Sequence, residues 1–239
     1  MPTALQISNA VGDAAAGQTV KRIRARRGEG EKLREEILDA AEQLLVAKAD
    51  ADAVSIRAIS QMVGVTAPSI YRHFEDKDAL VLAVCERAYD RFGEVLDAGA
   101  AAGIGPLGDI MGRATAYVEF ALANPGQYRV LFMTPGTHKH PDMADASAFD
   151  MQQSHITGLM SLVASVERAI AEGLLHPAAS SLELSILLWS HVHGIASLRI
   201  AHPDMPWPPA HQQLQLMFQG IATGFCTQSA ALAFDALCE

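Results

Sequence analysis

Between residues 66 and 77 stand Thr66, Ser69, Tyr71, Arg72, His73 and Lys77, which offer two hydroxyls, a phenol, an imidazole and two cations. Hydroxyls exchange hydrogen bonds with base edges and phosphates, and the cations pair with phosphates. Ala67 and Pro68, between the hydroxyls, add small apolar surface suited to thymine methyl groups. Together these types make a surface for double-stranded DNA. Rival chemistry is thin. His191 and His193 are two apart on a helical pattern, so they point to nearly opposite sides and cannot share a metal. His138 and His140 lie near Asp142, but no fourth ligand is evident, so no metal site is expected. There is no phosphate-cradling glycine loop and no nucleophile motif. No catalytic residue and no cofactor is expected, and the chain is not read as an enzyme.

The elements that would carry the six residues are short helices. From Glu31, the residues Leu33, Ile37, Ala40, Ala41, Leu44 and Leu45 recur at helical spacing, an amphipathic helix of about four turns. Ser55 has the chemistry of an N-cap for a short helix that turns Ile56, Ile59 and Val63 inward, and Gly64 ends it. Thr66 is placed to cap the next short helix, with Pro68 in its first turn and Ile70 and Phe74 inward. Asp76 is placed to cap a further helix that buries Leu80, Val84 and Ala88. Two short helices about a glycine turn, behind a longer one, form a helix-turn-helix. Its second helix enters the major groove, and Lys77 stands where a phosphate would pass.

Composition bounds the rest. The chain has 239 residues, half of them hydrophobic and 19% charged, enough to bury a sizeable core. No uninterrupted apolar run approaches a membrane span, no secretory leader is visible, and only Cys85, Cys226 and Cys238 are present. A cytoplasmic protein without a membrane role is expected. The net charge of −9 looks unsuited to DNA, but it is unevenly placed. Residues 1–80 hold 11 basic and 12 acidic side chains, whereas residues 81–239 hold 7 and 15. From Lys21 to Arg34 there are seven cations against Glu29 and Glu31. Residues 1–29 read as a flexible basic arm, able to enter a minor groove or merely to solubilise the terminus. Beyond Gly93 the pattern stays helical: about 107–123, 127–133, 146–173, 182–200 and 212–225, with prolines in the gaps and no period-2 strand.

The string from Ser55 to Leu80 resembles the DNA-binding signature of the tetracycline-repressor (TetR) family of bacterial transcription regulators. The match rests on the Gly64-Val65 turn, Ile70-Tyr71-Arg72-His73-Phe74, and Lys77 followed by Leu80; Ser60 stands where the family usually has alanine. Trp189-Ser-His-Val-His193-Gly194 is similar to the tryptophan–histidine–glycine signature of one subgroup's C-terminal domain, and Pro125-Gly-Gln-Tyr128-Arg-Val-Leu131-Phe132 resembles the same subgroup. The resemblance implies an all-α fold: a three-helix DNA-binding domain over 30–78, then a ligand-binding and dimerisation domain over 79–239. It also implies a homodimer on a near-palindromic operator, with a small-molecule effector releasing it.

The residues support part of this. The segment Leu182 to Leu198 is apolar on nearly all sides, and Leu214, Met217, Phe218, Ile221 and Phe225 form one stripe beside Gly220 and Gly224, so burial against a second chain is expected. Candidate pocket residues are Phe92, Tyr117, Phe120, Phe132, His155, Trp189 and His193, suited to a largely apolar ligand with one hydrogen-bonding head; ordinary core is the alternative for each. An alternative for the whole protein is a small-molecule sequestering protein with a vestigial DNA-binding head.

Overall fold

A computed structural model describes residues 29–48, 54–133, 154–176, 180–227 and 230. The order of its elements is α1 (Glu29–Lys48), α2 (Ile56–Val63), α3 (Ala67–Ile70), α4 (Lys77–Ala101), α5 (Gly105–Ala123), α6 (Pro125–Phe132), α7 (Ser154–Ala171), α8 (Ser181–Ala201) and α9 (Ala210–Phe225). Among the described residues there is no β-strand; a lone bridge ties Leu175 to Cys226. The fold is all-α, as the periodicity requires.

Two apolar cores account for the packing. The first gathers Leu33, Ile37, Leu38, Ala41 and Leu45 of α1 around Ile59, Ile70 and Phe74, closed by Leu80, Val81, Val84 and Cys85 of α4. The second joins α4 from Ala88 onward to α5, α6, α7, α8 and α9. Helix α4 therefore runs unbroken from one core into the other. It passes straight through Gly93, because a glycine weakens a helix without ending it. Helix α1 is also longer than its apolar stripe implies, beginning at Glu29 and running 20 residues.

The tightest helix pair is α4 with α5, and glycines make it so. A methyl built on Gly99 would lie 2.6 Å from both the Gly112 carbonyl oxygen and Ala116 Cβ, and one on Gly112 would strike the Gly99 carbonyl. Gly103 and Gly108 meet the same way at the corner. Bare backbones touching over two turns hold α4 and α5 as one unit.

Helix α8 carries apolar side chains on both its buried and its exposed sides. Ser180 caps it in a reciprocal box: its hydroxyl accepts from the Glu183 N–H, and the Glu183 carboxylate accepts from the Ser180 N–H. The Ser180 hydroxyl also donates to that carboxylate at 2.7 Å, and this bond with the backbone one holds the Glu183 carboxyl below its ordinary range. Leu184, Leu188, Val192, Ala196 and Ile200 face the core. Leu182, Ile186, Leu187, Trp189 and Leu198 stay exposed, as does Leu216 on α9. By length and mean hydropathy α8 is the one described helix apolar enough to cross a membrane. Its inner side is packed instead against α5, α7 and α9. Gly220 and Gly224 of α9 have open space where a side chain would be.

Candidate nucleic-acid interface and ligand site

The head is set by its caps. Ser55 takes an extended backbone before α2 and its Oγ accepts from the Ala58 N–H at 3.2 Å. Gly64 follows at φ 74°, in the left-handed region, and its N–H donates to Ser60 O; Val65 N donates to the same carbonyl. This turn aims the chain into α3. Thr66 is extended, as an N-cap must be, but its hydroxyl makes no cap bond. It lies 3.1 Å from Ser69 Oγ, which also accepts from Arg72 Nη2 at 3.2 Å. The expected side-chain cap is thus absent because Ser69, three residues on, competes for the same hydroxyl.

Thr66, Ser69 and Arg72 consequently form one linked polar row along the exposed side of α3. Helix α3 is shorter than expected: Tyr71, Arg72 and His73 occupy the turn after it, although the Phe74 N–H still reaches Ile70 O. Tyr71 is 51% exposed, a large aromatic with no core role. Ile70 and Phe74 beneath it are buried, and Arg34 of α1 lies over the Phe74 ring at 5.2 Å. His73 is half-buried near the start of α1, where a methyl on Gly30 would come within 4.0 Å of its ring. Asp76 caps α4 by accepting from the Ala79 N–H at 2.7 Å, with half-buried Lys77 opening that helix. All six proposed contact residues thus fall between the second helix of the motif and the first turn of α4.

In the body, six of the seven candidate ligand residues come together. Phe92 sits 5.1 Å from Tyr117, 5.0 Å from Phe120 and 5.7 Å from Phe132, ring centre to ring centre. Phe132 lies 5.4 Å and Trp189 6.1 Å from the His193 ring. The side chain of the seventh, His155, lies outside the described residues. At the centre is a residue the candidate set lacks, Tyr128. It is fully buried, with its ring 4.9 Å from Phe132 and 5.7 Å from His193. The Tyr117 and Tyr128 hydroxyls stand 2.9 and 2.8 Å from His193 Nδ1, and 3.4 Å from each other. Two phenol donors converging on one ring nitrogen favour the tautomer with its proton on Nε2.

Burial sets the protonation of this group. It lowers the His193 imidazole and raises both tyrosines, Tyr128 to about 12 and Tyr117 further, so the cluster is neutral at physiological pH. Tyr89, also outside the candidate set, donates to Leu131 O at 2.6 Å and packs its ring edge-on to Phe132. Burial likewise pushes the Cys85 thiol to about 11, leaving it unreactive. His191, two residues from His193, faces outward and donates from Nδ1 to Leu187 O at 2.7 Å. Among the described residues no three metal-binding side chains gather; His138, His140 and Asp142 lie outside those residues.

Residues 37–84 match the model of the tetR family of bacterial regulatory proteins, and residues 110–218 match the tetracyclin repressor-like C-terminal domain. The second match contains both the Pro125–Phe132 and the Trp189–Gly194 strings. Among solved structures, a protein of unknown function from Rhodococcus sp. RHA1 superposes with a TM-score of 0.67 at 22% identity, over 82% of this chain and 95% of that one. A TetR family transcription regulator from Marinobacter aquaeolei VT8 gives 0.63 at 16% identity, over 85% and 100%. The SmeT–triclosan complex gives 0.59 at 18% identity, over 83% and 94%; SmeT is the repressor of the Stenotrophomonas maltophilia multidrug efflux pump SmeDEF. At these identities the likeness speaks to fold. No curated protein matches the chain significantly in sequence. With both of its domains matched, the chain belongs to the tetR family of bacterial regulatory proteins.

Proposed function

We propose that the protein is a ligand-responsive transcription regulator of the cytoplasm, a repressor that binds a near-palindromic operator as a homodimer and leaves it when a small effector binds. The observation that carries this reading is the exposed row Thr66–Ser69–Arg72 with Tyr71 beside it, held on the second helix of a capped helix-turn-helix. Thr66, Ser69, Tyr71, Arg72, His73 and Lys77 make the DNA contacts, and the basic arm of residues 1–29 reaches the adjacent minor groove. The head spans 30–78; residues 79–239 bind ligand and partner. The exposed apolar side of α8 and the open glycines of α9 support a two-fold dimer. Such a dimer sets its two heads about one DNA turn, ~34–36 Å, apart.

The effector contacts Phe92, Tyr117, Phe120, Phe132, His155, Trp189 and His193. It is largely apolar, and the Nε2–H of neutral His193 suits a single acceptor on its head. SmeT, a repressor of like fold held in complex with triclosan, supports a small-molecule role for such a body. A tenfold loss of operator affinity requires ~1.4 kcal/mol of coupling. The test is substitution of Tyr71→Ala and Lys77→Ala, read by DNA binding and by sedimentation. Both variants are expected to bind DNA more weakly while sedimenting as the wild type does; unchanged affinity in both would refute the contact set.

A further inference from the structure

One carboxylate stands where the head meets the body. Glu42 of α1 belongs to the head, yet the residue is 8% exposed, unusual for a glutamate on an outer helix. Its Oε2 accepts from Arg87 Nη2 at 2.8 Å; its Oε1 accepts from Arg91 Nη2 and, at 3.1 Å, from Gln127 Nε2. Arg87 and Arg91 come from α4, and Gln127 from α6. Arg87 also reaches Glu35 at 3.1 Å and Asp39 at 2.8 Å on α1. Burial alone would lower the Arg87 guanidinium, but the Glu42 and Asp39 carboxylates outweigh it and hold it charged.

Helix α6 is the second half of the junction. It sends Tyr128 and Leu131 into the body core beside His193, and Val130 into the head core. Gly126, in its first turn, lies so close to α1 that a methyl there would be 2.6 Å from Val46 Cγ1. Beside these contacts the two helices part around a groove of about 410 Å³, lined by Asp39, Glu42, Gln43, Val46, Asn124, Gly126 and Gln127. Among the described residues the α1–α6 seam thus combines the Gln127–Glu42 bond with the apolar contacts of Gly126 and Val130, and the groove beside it leaves room for α6 to shift.

We propose that Glu42 is a positioning residue that couples the DNA-reading head to the aromatic cluster of the body: Arg87 and Arg91 fix α1 on α4, and Gln127 reports the position of α6 to the same carboxylate. Any rearrangement about Tyr128 and Phe132 that displaces α6 pulls Gln127 from Glu42 and lets the head turn on the remaining arginine pairs. By linkage the reverse also holds, so loading the head tightens α6. This rests on the proposed DNA-binding role, and the experiment separates the two.

The test is hydrogen exchange by mass spectrometry on the full chain, with and without excess unrelated duplex DNA at low salt, where any such head binds. In the wild type, duplex is expected to slow exchange in α3 directly and in α6 through the junction, the latter about fivefold, at the low end of typical coupling. Glu42→Gln is expected to keep the α3 protection and lose that of α6. Gln127→Ala, which leaves both arginine pairs in place, should do the same and serves if Glu42→Gln does not fold. A purely structural role would lower both protections together, and equal α6 protection in wild type and variants would likewise overturn the proposal. If duplex protects nothing in the wild type, the DNA-binding reading fails; Glu42→Gln must then still speed α6 exchange in the free protein, and no change there would overturn the coupling by itself.

Discussion

Ser55 and Thr66 are chemically alike and stand in equivalent places, each before a short helix of the head, yet only Ser55 caps. The difference is Ser69, which draws the Thr66 hydroxyl toward the proposed DNA-contact row. Ser55→Ala should therefore cost about 1 kcal/mol of stability, while Thr66→Ala should cost measurably less and instead weaken DNA binding. Denaturant unfolding beside a binding titration separates the two effects. His193 carries a second residue-scale prediction. Burial lowers its folded pKa below that of the unfolded chain, so the unfolded state takes up more protons as pH falls through about 6.5. Its contribution to stability is thus present above that pH, is lost as pH drops below it, and levels off beneath the folded value. His193→Asn removes the difference. Between about pH 7.5 and 5.5 the wild type should lose more melting temperature than this variant does, and an equal loss would contradict the assignment.

Glycines of opposite meaning share helices α4 and α5. Gly112 abuts the Gly99 backbone, so Gly112→Ala should destabilise by roughly 1–3 kcal/mol through overpacking. Gly93, with no neighbour around its missing side chain, should tolerate alanine and gain about 0.5–1 kcal/mol. Calorimetric melting of both variants checks the pair, and a similar response would mean that the α4–α5 contact is looser than described. Neither role is visible in sequence, where both residues look like helix breakers. What periodicity and capping chemistry do convey is local: the Ser55 and Asp76 caps, the Gly64 turn, and the inward set Ile59, Ile70, Phe74 and Leu80. Aromatic content likewise points to Phe92, Tyr117, Phe132 and His193 as neighbours-in-waiting. Tyr128 and Glu42 escape because their importance is non-local. Tyr128 becomes central only when α5 and α8 close on it, and Glu42 only when α4 and α6 bring three donors to one carboxylate.

At the scale of the molecule, a protein of net charge −9 must approach a polyanion. It can do so because most of the excess acidity lies in residues 81–239, whereas residues 1–80 are almost balanced and a run of cations from Lys21 to Arg27 stands just before the head. The heads of a dimer would then meet phosphates with the acidic bodies held away, and affinity should fall steeply with salt as counterions are released. The measurement that tests the central claim most directly is fluorescence anisotropy of the purified protein against duplex DNA from immediately upstream of its own gene, at several salt concentrations, with excess unrelated DNA competing. The account predicts binding that weakens with salt, survives the competitor and saturates at one dimer per site. Binding that the competitor abolishes at every salt concentration would contradict a sequence-specific regulator at that site and favour a sequestering protein with a vestigial head.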